Sequence, residues 1–538
     1  MDNKMLLPRI FATVPKNLNI VYLILLAEVA LLSGGTIIDF FRRRVFLKVS
    51  TLVDISLISD FFVKLMKLPM KFFYIKLPGD ILQRIEDHTR IENFLTDQSP
   101  RLVFSAFNIV TFGFVLAFYS WKILVVFVLG NLLYVLWIFL FLNKRRILDY
   151  QYFEKQANQR DVVYQMITGM PEIKIQGCER RKREQWRKVQ EDIFGINLKS
   201  LTLNQYEEAG GICITELTNI VVVIIAATSV ISGSITLGVM LAVQSIIGQL
   251  RAPMDDIMSF IYQWQDVNIS MDRINEIHSM KNEEEEYGCI KDINDVNIEF
   301  HNVSFQYDLS EEKNVLNHIT LRIPQNKVTA IVGASGSGKT TLVKLLLGHF
   351  LPTEGCVTIG GIDIQHLDLR WWRSLCGAVM QDGVIFPESI AQNIGLTDST
   401  QDGQKLIYAA NKACILDYVN SLPLGFNTML YQDGMNLSNG QRQRILIARA
   451  IYRNPRLFVF DEATNSLDAN TESVIVRNLK TVFQNKTVVV VAHRLSTVRE
   501  ADNIIVLDQG KIIEQGNHDE LISIKGYYYR LVRNQLEE

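Results

Sequence analysis

Residues 327–350 read KVTAIVGASGSGKTTLVKLLLGHF. An apolar, strand-like run meets a turn of small residues, and a helical pattern follows. The turn, Gly333-Ala334-Ser335-Gly336-Ser337-Gly338-Lys339-Thr340, fits the spacing G-x-x-x-x-G-K-[ST]. Side chains this small let backbone N–H groups close around phosphate oxygens, and the helix beginning there adds the positive end of its dipole. Lys339 then reaches the β- and γ-phosphates, and the Thr340 hydroxyl can ligate Mg²⁺. Gly333, Ser335, Gly336, Ser337, Gly338, Lys339, Thr340 and Thr341 are therefore candidate contacts for ATP.

Further along, the apolar strand Leu457-Phe458-Val459-Phe460 ends in Asp461-Glu462. A carboxylate at such a strand end can hold Mg²⁺, and a second beside it can polarise the water that attacks the γ-phosphate. A third apolar strand, Thr487 to Val491, delivers His493 as a candidate γ-phosphate sensor; a fourth runs from Asn503 to Leu507. Strands alternating with helices predict a mainly parallel sheet with its ligand at the strands' carboxyl ends. Between the two nucleotide motifs, Asn436-Leu437-Ser438-Asn439-Gly440-Gln441-Arg442-Gln443-Arg444 opens a helical run. Ser438 suits an N-cap there, and Gly440 permits close backbone approach.

The half of the chain before residue 281 is of another kind. Residues 102–142 carry one charge, Lys122, in 41 positions. As helix this is roughly 60 Å, twice a ~30 Å hydrocarbon core, so two spans turning near Tyr119-Ser120-Trp121-Lys122 are expected. Residues 212–250 repeat the pattern, with Glu216 the only charge and a turn at Ser232-Gly233-Ser234. Residues 20–41, with Glu28 and Asp39, are a fifth candidate. The expected spans are 20–41, 102–119, 122–142, 212–231 and 235–255. Arg42, Arg43 and Arg44, then Lys144, Arg145 and Arg146, and later Arg180 to Arg183 place the long connections in the cytoplasm. Those connections read as amphipathic helices, broken at Pro78-Gly79-Asp80 and Gly169-Met170-Pro171, where short cross-helices would fit. The run Lys281-Asn282-Glu283-Glu284-Glu285-Glu286 reads as solvated connector.

Composition agrees with a membrane enzyme. The 538 residues are 48% hydrophobic with a net charge of −2, which excludes a disordered chain and gives no case for nucleic-acid binding. Cys178, Cys213, Cys289, Cys356, Cys376 and Cys414 are scattered without metal-ligand spacing, which points to reduced thiols.

The order of these motifs resembles the ATP-binding cassette of ABC transporters, across residues 296–536. LSNGQ (437–441) is similar to the family's LSGGQ signature. Gln381 matches the Q-loop, Ser466-Leu467-Asp468 the D-loop and His493 the H-loop, and Tyr307 in VSFQY resembles the aromatic that stacks on adenine. The resemblance implies two cassettes closing head to tail on two ATP molecules. Ser438, Gly440 and Gln441 of one copy, with Asp468, would complete the nucleotide site of the other. Glu462 would be the general base, with His493 and Lys339 beside the γ-phosphate, and Thr340, Gln381 and Asp461 around Mg²⁺. One cassette per chain implies a second half-transporter, identical or not. The membrane half resembles exporters of the family: FYIKLPGDILQRIEDHTRI (73–91) and TGMPEIKIQGCE (168–179) are similar to their two intracellular coupling regions, and ITLGVMLAVQSIIGQLRAPM (235–254) to their last span. Peptide and bacteriocin exporters are the nearest likeness.

The implied fold is thus an α-helical transmembrane domain over 1–280, a linker over 281–295, and an α/β cassette over 296–538 with an antiparallel β subdomain and a helical subdomain. The implied function is ATP-hydrolysing export of a peptide across the cytoplasmic membrane, with the cassette in the cytoplasm. Three features depart from the pattern. Exporters of this kind have six spans per half, and five are counted here, the first being the one missing. No papain-like Cys/His region precedes the spans, so peptidase activity is not expected. Asn439 replaces the middle signature glycine, and Tyr431-Gln432 stand where the family often has Gly-Glu. The low span count leaves a second reading open: a regulatory ATP-binding subunit that partners a complete exporter, or a truncated gene product.

Overall fold

The computed structural model describes residues 18–537 apart from 77, 294, 308–313, 399, 432–436 and 493–497. The chain divides into two compact units. One comprises the residues up to Met66 with Ile75–Met280; the other comprises Lys67–Tyr74 with Lys281–Glu538.

The helices before the connector are α1 (Leu18–Lys67), α2 (Met70–Ile75), α3 (Pro78–Asn93), α4 (Ser99–Tyr119), α5 (Trp121–Thr168), α6 (Met170–Ile175), α7 (Glu179–Ile231) and α8 (Leu237–Ser279). Of these, α2 falls mostly in the second unit and the rest build the first. A π-helical turn, Phe94–Gln98, joins α3 to α4. Three described stretches are long and apolar enough to cross a bilayer: Pro78–Tyr119, Trp121–Thr168 and Glu179–Ile231. They contain the spans expected at 102–119, 122–142 and 212–231. The stretches 20–41 and 235–255 fall at the start of α1 and across the start of α8, which are not among those three. Helices α5 and α7 have 48 and 53 residues. At about 1.5 Å per residue each is more than twice as long as a hydrocarbon core is thick, so their polar halves continue beyond it.

The turn between α4 and α5 is tighter than the sequence suggests. Ser120 alone, in extended backbone (φ −163°, ψ 109°), reverses the chain, and Lys122 is already helical. The two breaks do produce short helices. The second, α6, begins at Met170-Pro171 as expected, but the first, α2, ends before Pro78. Pro78 instead opens α3, because its fixed φ suits a first helical turn and its missing N–H costs nothing there.

Glycines set how closely α5 and α7 pack. A Cβ on Gly130 would overlap Thr218, one on Gly210 the Trp137 indole, and one on Gly211 the Tyr134 ring. The Trp137 Nε1–H also donates to the Glu207 carbonyl at 3.1 Å. At the turn ends, Leu116, Ile123, Val222, Ala226 and Val243 form a buried apolar cluster.

In the second unit, β1 (Ile298–Phe305), β2 (Leu316–Ile323), β4 (Glu354–Ile359) and β5 (Ile362–Asp363) form an antiparallel sheet in the order β2-β1-β4-β5. The strands β3 (Val328–Gly333), β6 (Cys376–Val379), β7 (Leu457–Asp461), β8 (Thr487–Val491), β9 (Asn503–Asp508) and β10 (Lys511–Gly516) form the second sheet, ordered β10-β9-β3-β8-β7-β6. Five of these strands are parallel, and β10 returns antiparallel at the edge. Every residue of β7 and β8 is buried, which is why both read as unbroken apolar runs. Helix α9 (Lys339–Leu346) follows β3; α10 (Gly403–Lys412) and α11 (Asn439–Tyr452) belong to the helical part, and α12 (Ala469–Val482) follows β7. One face of the sheet packs on a core holding Trp372 and the apolar side of α9, the other on a core holding Phe458 and α11.

The acidic connector is more than solvated chain. Glu283 is 7% exposed and forms a two-pronged ion pair with Arg373, both contacts at 2.9 Å. Such a bidentate, half-desolvated pair anchors the start of the cassette.

The close approach of α5 and α7 generates a prediction. Gly210→Val should force Trp137 out of its place and lower stability by about 1–3 kcal/mol, seen as a lower melting temperature of the purified protein in detergent. An unchanged melting temperature would contradict the packing described.

Candidate nucleotide site

Strand β3 ends in the loop, and the loop's glycines have distinct reasons. Gly333 has φ 156°, and a Cβ there would overlap the Leu507 carbonyl of β9. Gly336 has open space around it but φ 79°, left-handed backbone that glycine adopts without strain. The loop curls around Lys339, whose ammonium donates to the carbonyls of Gly333 (3.0 Å) and Ala334 (2.9 Å). Lys339 is 5% exposed, and burial lowers its pKa against the opposing pull of Glu462 and Asp461. Ser335, Gly336, Gly338, Lys339, Thr340 and Thr341 line a cavity of about 420 Å³ that Gln381 and Glu462 face from the other side. Gly333 and Ser337 shape the loop without lining that cavity, and the Ser337 side chain is buried.

Asp461 ends β7 with no exposed surface, and neither carboxylate oxygen has a hydrogen-bond partner among the described residues. Burial pushes its pKa up and Glu462 adds to that, while the Thr340 hydroxyl, Lys339 and Lys344 act in the opposite sense. A buried carboxylate with two orphaned oxygens is costly unless a cation joins it. Oxygen donors from Thr340 on the cavity wall and from Asp461 beside it suit a hard ion such as Mg²⁺, which keeps most of its waters and takes one or two protein oxygens.

Glu462 lies in left-handed backbone, φ 54°, unusual for a residue with a Cβ. Several hydrogen bonds hold it: its N–H donates to Val491 O (3.1 Å), its carbonyl accepts from Gln443 Nε2 (3.0 Å) and from the Asn465 N–H (3.3 Å), and its Oε2 accepts from Asn465 Nδ2 (2.8 Å). Strain of this kind costs ~1–3 kcal/mol and persists where the surroundings over-determine it. Here it turns the carboxylate toward the cavity.

The signature segment is placed elsewhere. Ser438 caps α11: its Oγ accepts from Gln441 N–H (3.2 Å), and Gln441 Oε1 accepts from Ser438 N–H (2.9 Å). Gln441 is thus engaged in a reciprocal cap. Asn439 begins the helix in ordinary helical backbone, so replacing the family's glycine costs nothing locally. None of Ser438, Gly440 or Gln441 lines the cavity. Asp468 caps α12 by accepting from Thr471 N–H at 2.9 Å, which holds its carboxyl below the usual range. It too lies outside the cavity. Tyr307 donates to or accepts from Thr341 Oγ1 at 3.1 Å and sits edge-on against Phe305 and Phe350. His493 lies outside the described residues.

Three further residues belong to the site and carry no signal in the motifs. Gln443 bonds both Glu462 O and the Ser466 N–H (3.1 Å), clamping α11 to the strained turn. Asn465 holds the Glu462 carboxylate. Tyr74 packs on Phe350 at 5.0 Å, behind Tyr307, and its hydroxyl meets His349 Nδ1 at 3.2 Å. Burial, with Arg373 and Lys344 nearby, holds His349 down to about 4, so the ring is neutral, and its tautomer decides which of the two atoms donates. Only the second turn position of Gln443 on α11, facing β7, would have hinted at its role.

Gln443→Ala removes both clamps while leaving every cavity-lining group in place. The expected result is a fall in kcat for ATP of about tenfold, or ~1.4 kcal/mol, with KM little changed. Equal kcat in steady-state ATPase assays would refute the clamp.

The ABC transporter family model matches residues 316–465, and the ABC transporter transmembrane region model matches residues 5–254. The leukotoxin export ATP-binding protein of Aggregatibacter actinomycetemcomitans is 34% identical over 537 residues, 99% of this chain and 74% of that protein. The exotoxin translocation ATP-binding protein of Pasteurella aerogenes is 35% identical over 499 residues, covering 92% of this chain and 70% of its own length. A solved bacterial Atm1-family ABC exporter with ATP bound superposes with a TM-score of 0.88 at 26% identity, covering 96% of this chain and 91% of that one. Loop, paired carboxylates, signature helix and apolar helices therefore lie in one chain in the family's order, and the chain belongs to the ABC transporters, as a membrane-embedded exporter-type ATPase with its cassette on the cytoplasmic side.

Proposed function

We propose that this chain is one half of an ATP-driven exporter that moves a polypeptide across the cytoplasmic membrane. The observation that carries the reading is the separation of the two halves of the nucleotide site. The phosphate loop and Glu462 line one cavity, whereas Ser438, Gly440 and Gln441 stand at another helix end outside it. A second copy, or a related half, turned head to tail would bring its Ser438 and Gly440 over the cavity and complete the site.

In this reading Lys339 and the loop N–H groups hold the triphosphate, and Tyr307 carries the adenine. Asp461, Thr340 and Gln381 would hold Mg²⁺, which would supply charge neutralisation to the triphosphate. Glu462 orients the attacking water and takes its proton, and His493 contacts the γ-phosphate. Catalysis then rests on positioning and charge, with no covalent intermediate on the protein. Spans in α1 and α8 would add to the three stretches above and give five. A polypeptide cargo is supported by relatives named for leukotoxin export and exotoxin translocation. Closure of two cassettes on ATP would shift the membrane helices outward, and hydrolysis would release them.

Glu462→Gln should bind Mg-ATP yet lose at least about a hundredfold in kcat, roughly 2.7 kcal/mol. A mixing test addresses the shared site. Chains carrying Lys339→Ala and chains carrying Ser438→Arg should each be inactive alone. Co-reconstituted, they should recover part of the ATPase activity, because one mixed site contains neither change. No recovery on mixing would reject the shared site.

A further inference from the structure

A charged cluster lies among the cytoplasmic continuations of α3, α5, α7 and α8, within the first unit. Arg145 on α5 lies between two carboxylates: its Nε is 3.8 Å from Asp149 on the same helix, and its Nη2 is 3.9 Å from Asp266 on α8. The guanidinium also covers the Tyr262 ring of α8 at 4.5 Å and faces Glu207 on α7. Linked to it through the charge of Arg90, Asp87 on α3 is 1% exposed. It meets Arg273 (3.5 Å) and Arg90 (3.8 Å) and accepts from Ser270 Oγ (3.1 Å). Arg90 and Arg273 both stack on Phe153 of α5, at 4.3 and 5.2 Å.

The charges do not balance. Asp87, Asp149, Asp266 and Glu207 are four carboxylates, and Arg90, Arg145 and Arg273 are three guanidiniums. Arg84 also reaches Asp87, but Asp80 and Glu276 already claim it, so it does not make up the deficit. Among the described residues Asp149 Oδ2 is buried without a hydrogen-bond partner, as is Asp87 Oδ2. A half-buried group with one negative charge in excess, in which Asp149 Oδ2 has Arg145 only at 3.8 Å, has a place for one further positive charge. A proton is the smallest cation that fits.

We propose that Asp149 and Asp266, facing each other across Arg145, form a proton-binding site in the cytoplasmic part of the membrane domain, and that its proton fastens α5 to α8. With the proton bound, three carboxylates balance three guanidiniums. With it lost to the cytoplasm, two carboxylates repel across a single Arg145. Burial pushes Asp149 up to about 6, Asp266 adds to that, and Arg145 and Arg90 oppose it; burial likewise raises Asp266. The two titrate as a pair sharing one proton. A carboxyl whose folded pKa is raised contributes stability that is full below its ordinary value near 3.8 and is lost as pH rises through about 6. Acidification of the cytoplasm would therefore tighten α5 on α8. Its effect on transport rests on the exporter reading above; the site itself does not.

The test is thermal unfolding of the purified full-length protein without nucleotide, from roughly pH 5 to pH 8. Asp149→Asn, permanently uncharged, should melt about 2 °C or more above wild type near pH 8, and the gap should close toward pH 5. Asp266→Asn removes the repulsion, so the wild-type step should move down by about one pH unit. Infrared difference spectra across the step should show a protonated carboxyl band that Asp149→Asn lacks. A pH-independent difference between Asp149→Asn and wild type, or an unmoved step in Asp266→Asn, would overturn the proposal. Because no ATP is present, failure here is distinct from failure of the exporter reading.

Discussion

The cassette depends on placing fixed positive and negative groups at the carboxyl ends of strands that are buried on both faces. Lys339 comes from the loop after β3 and Asp461 from the end of β7, with β8 lying between those strands in the sheet. Neither group is comfortable alone: burial lowers the affinity of Lys339 for its proton and raises that of Asp461. A polyphosphate with its divalent cation would satisfy both. The protein maintains this arrangement with an apolar sheet core, a loop closed around the ammonium, and a strained Glu462 held by its neighbours.

Much of this is readable from sequence because the chemistry restricts residue type at fixed spacing. Gly333, Gly336 and Gly338 are required by backbone conformation, and apolar β7 and β8 by burial on both faces, so local pattern and tertiary role coincide. The antiparallel sheet rests on the family resemblance, and its strand order has no local signal. Gln443, Asn465 and Tyr74 are not legible. Each acts through one or two hydrogen bonds or ring contacts made across the fold, and a Gln or Asn on a helix or loop is most often just a solvated polar side chain. Glu283 reads as connector for the same reason: Arg373, which pairs with it, lies 90 positions away.

The membrane half shows a different division. Hydropathy locates the apolar stretches because a bilayer imposes length and charge limits on any sequence that crosses it. It does not show that these stretches are fractions of helices about 50 residues long, nor that Gly130, Gly210 and Gly211 set the distance between α5 and α7. The charged cluster around Arg145 is equally hidden, since its members come from four helices. Taken singly, Asp149 and Asp266 are ordinary polar positions on amphipathic helices.

The central claim is that a nucleotide cavity in one chain is closed by the signature helix of another. It is tested most directly by disulfide trapping in a background free of the six native cysteines. Ser335→Cys sits on the cavity wall and Ser438→Cys on the capping position of α11. With Glu462→Gln and Mg-ATP, the account predicts a covalent dimer formed through this pair, and little without nucleotide. Absence of that cross-linked dimer under ATP, in protein that binds ATP, would contradict it.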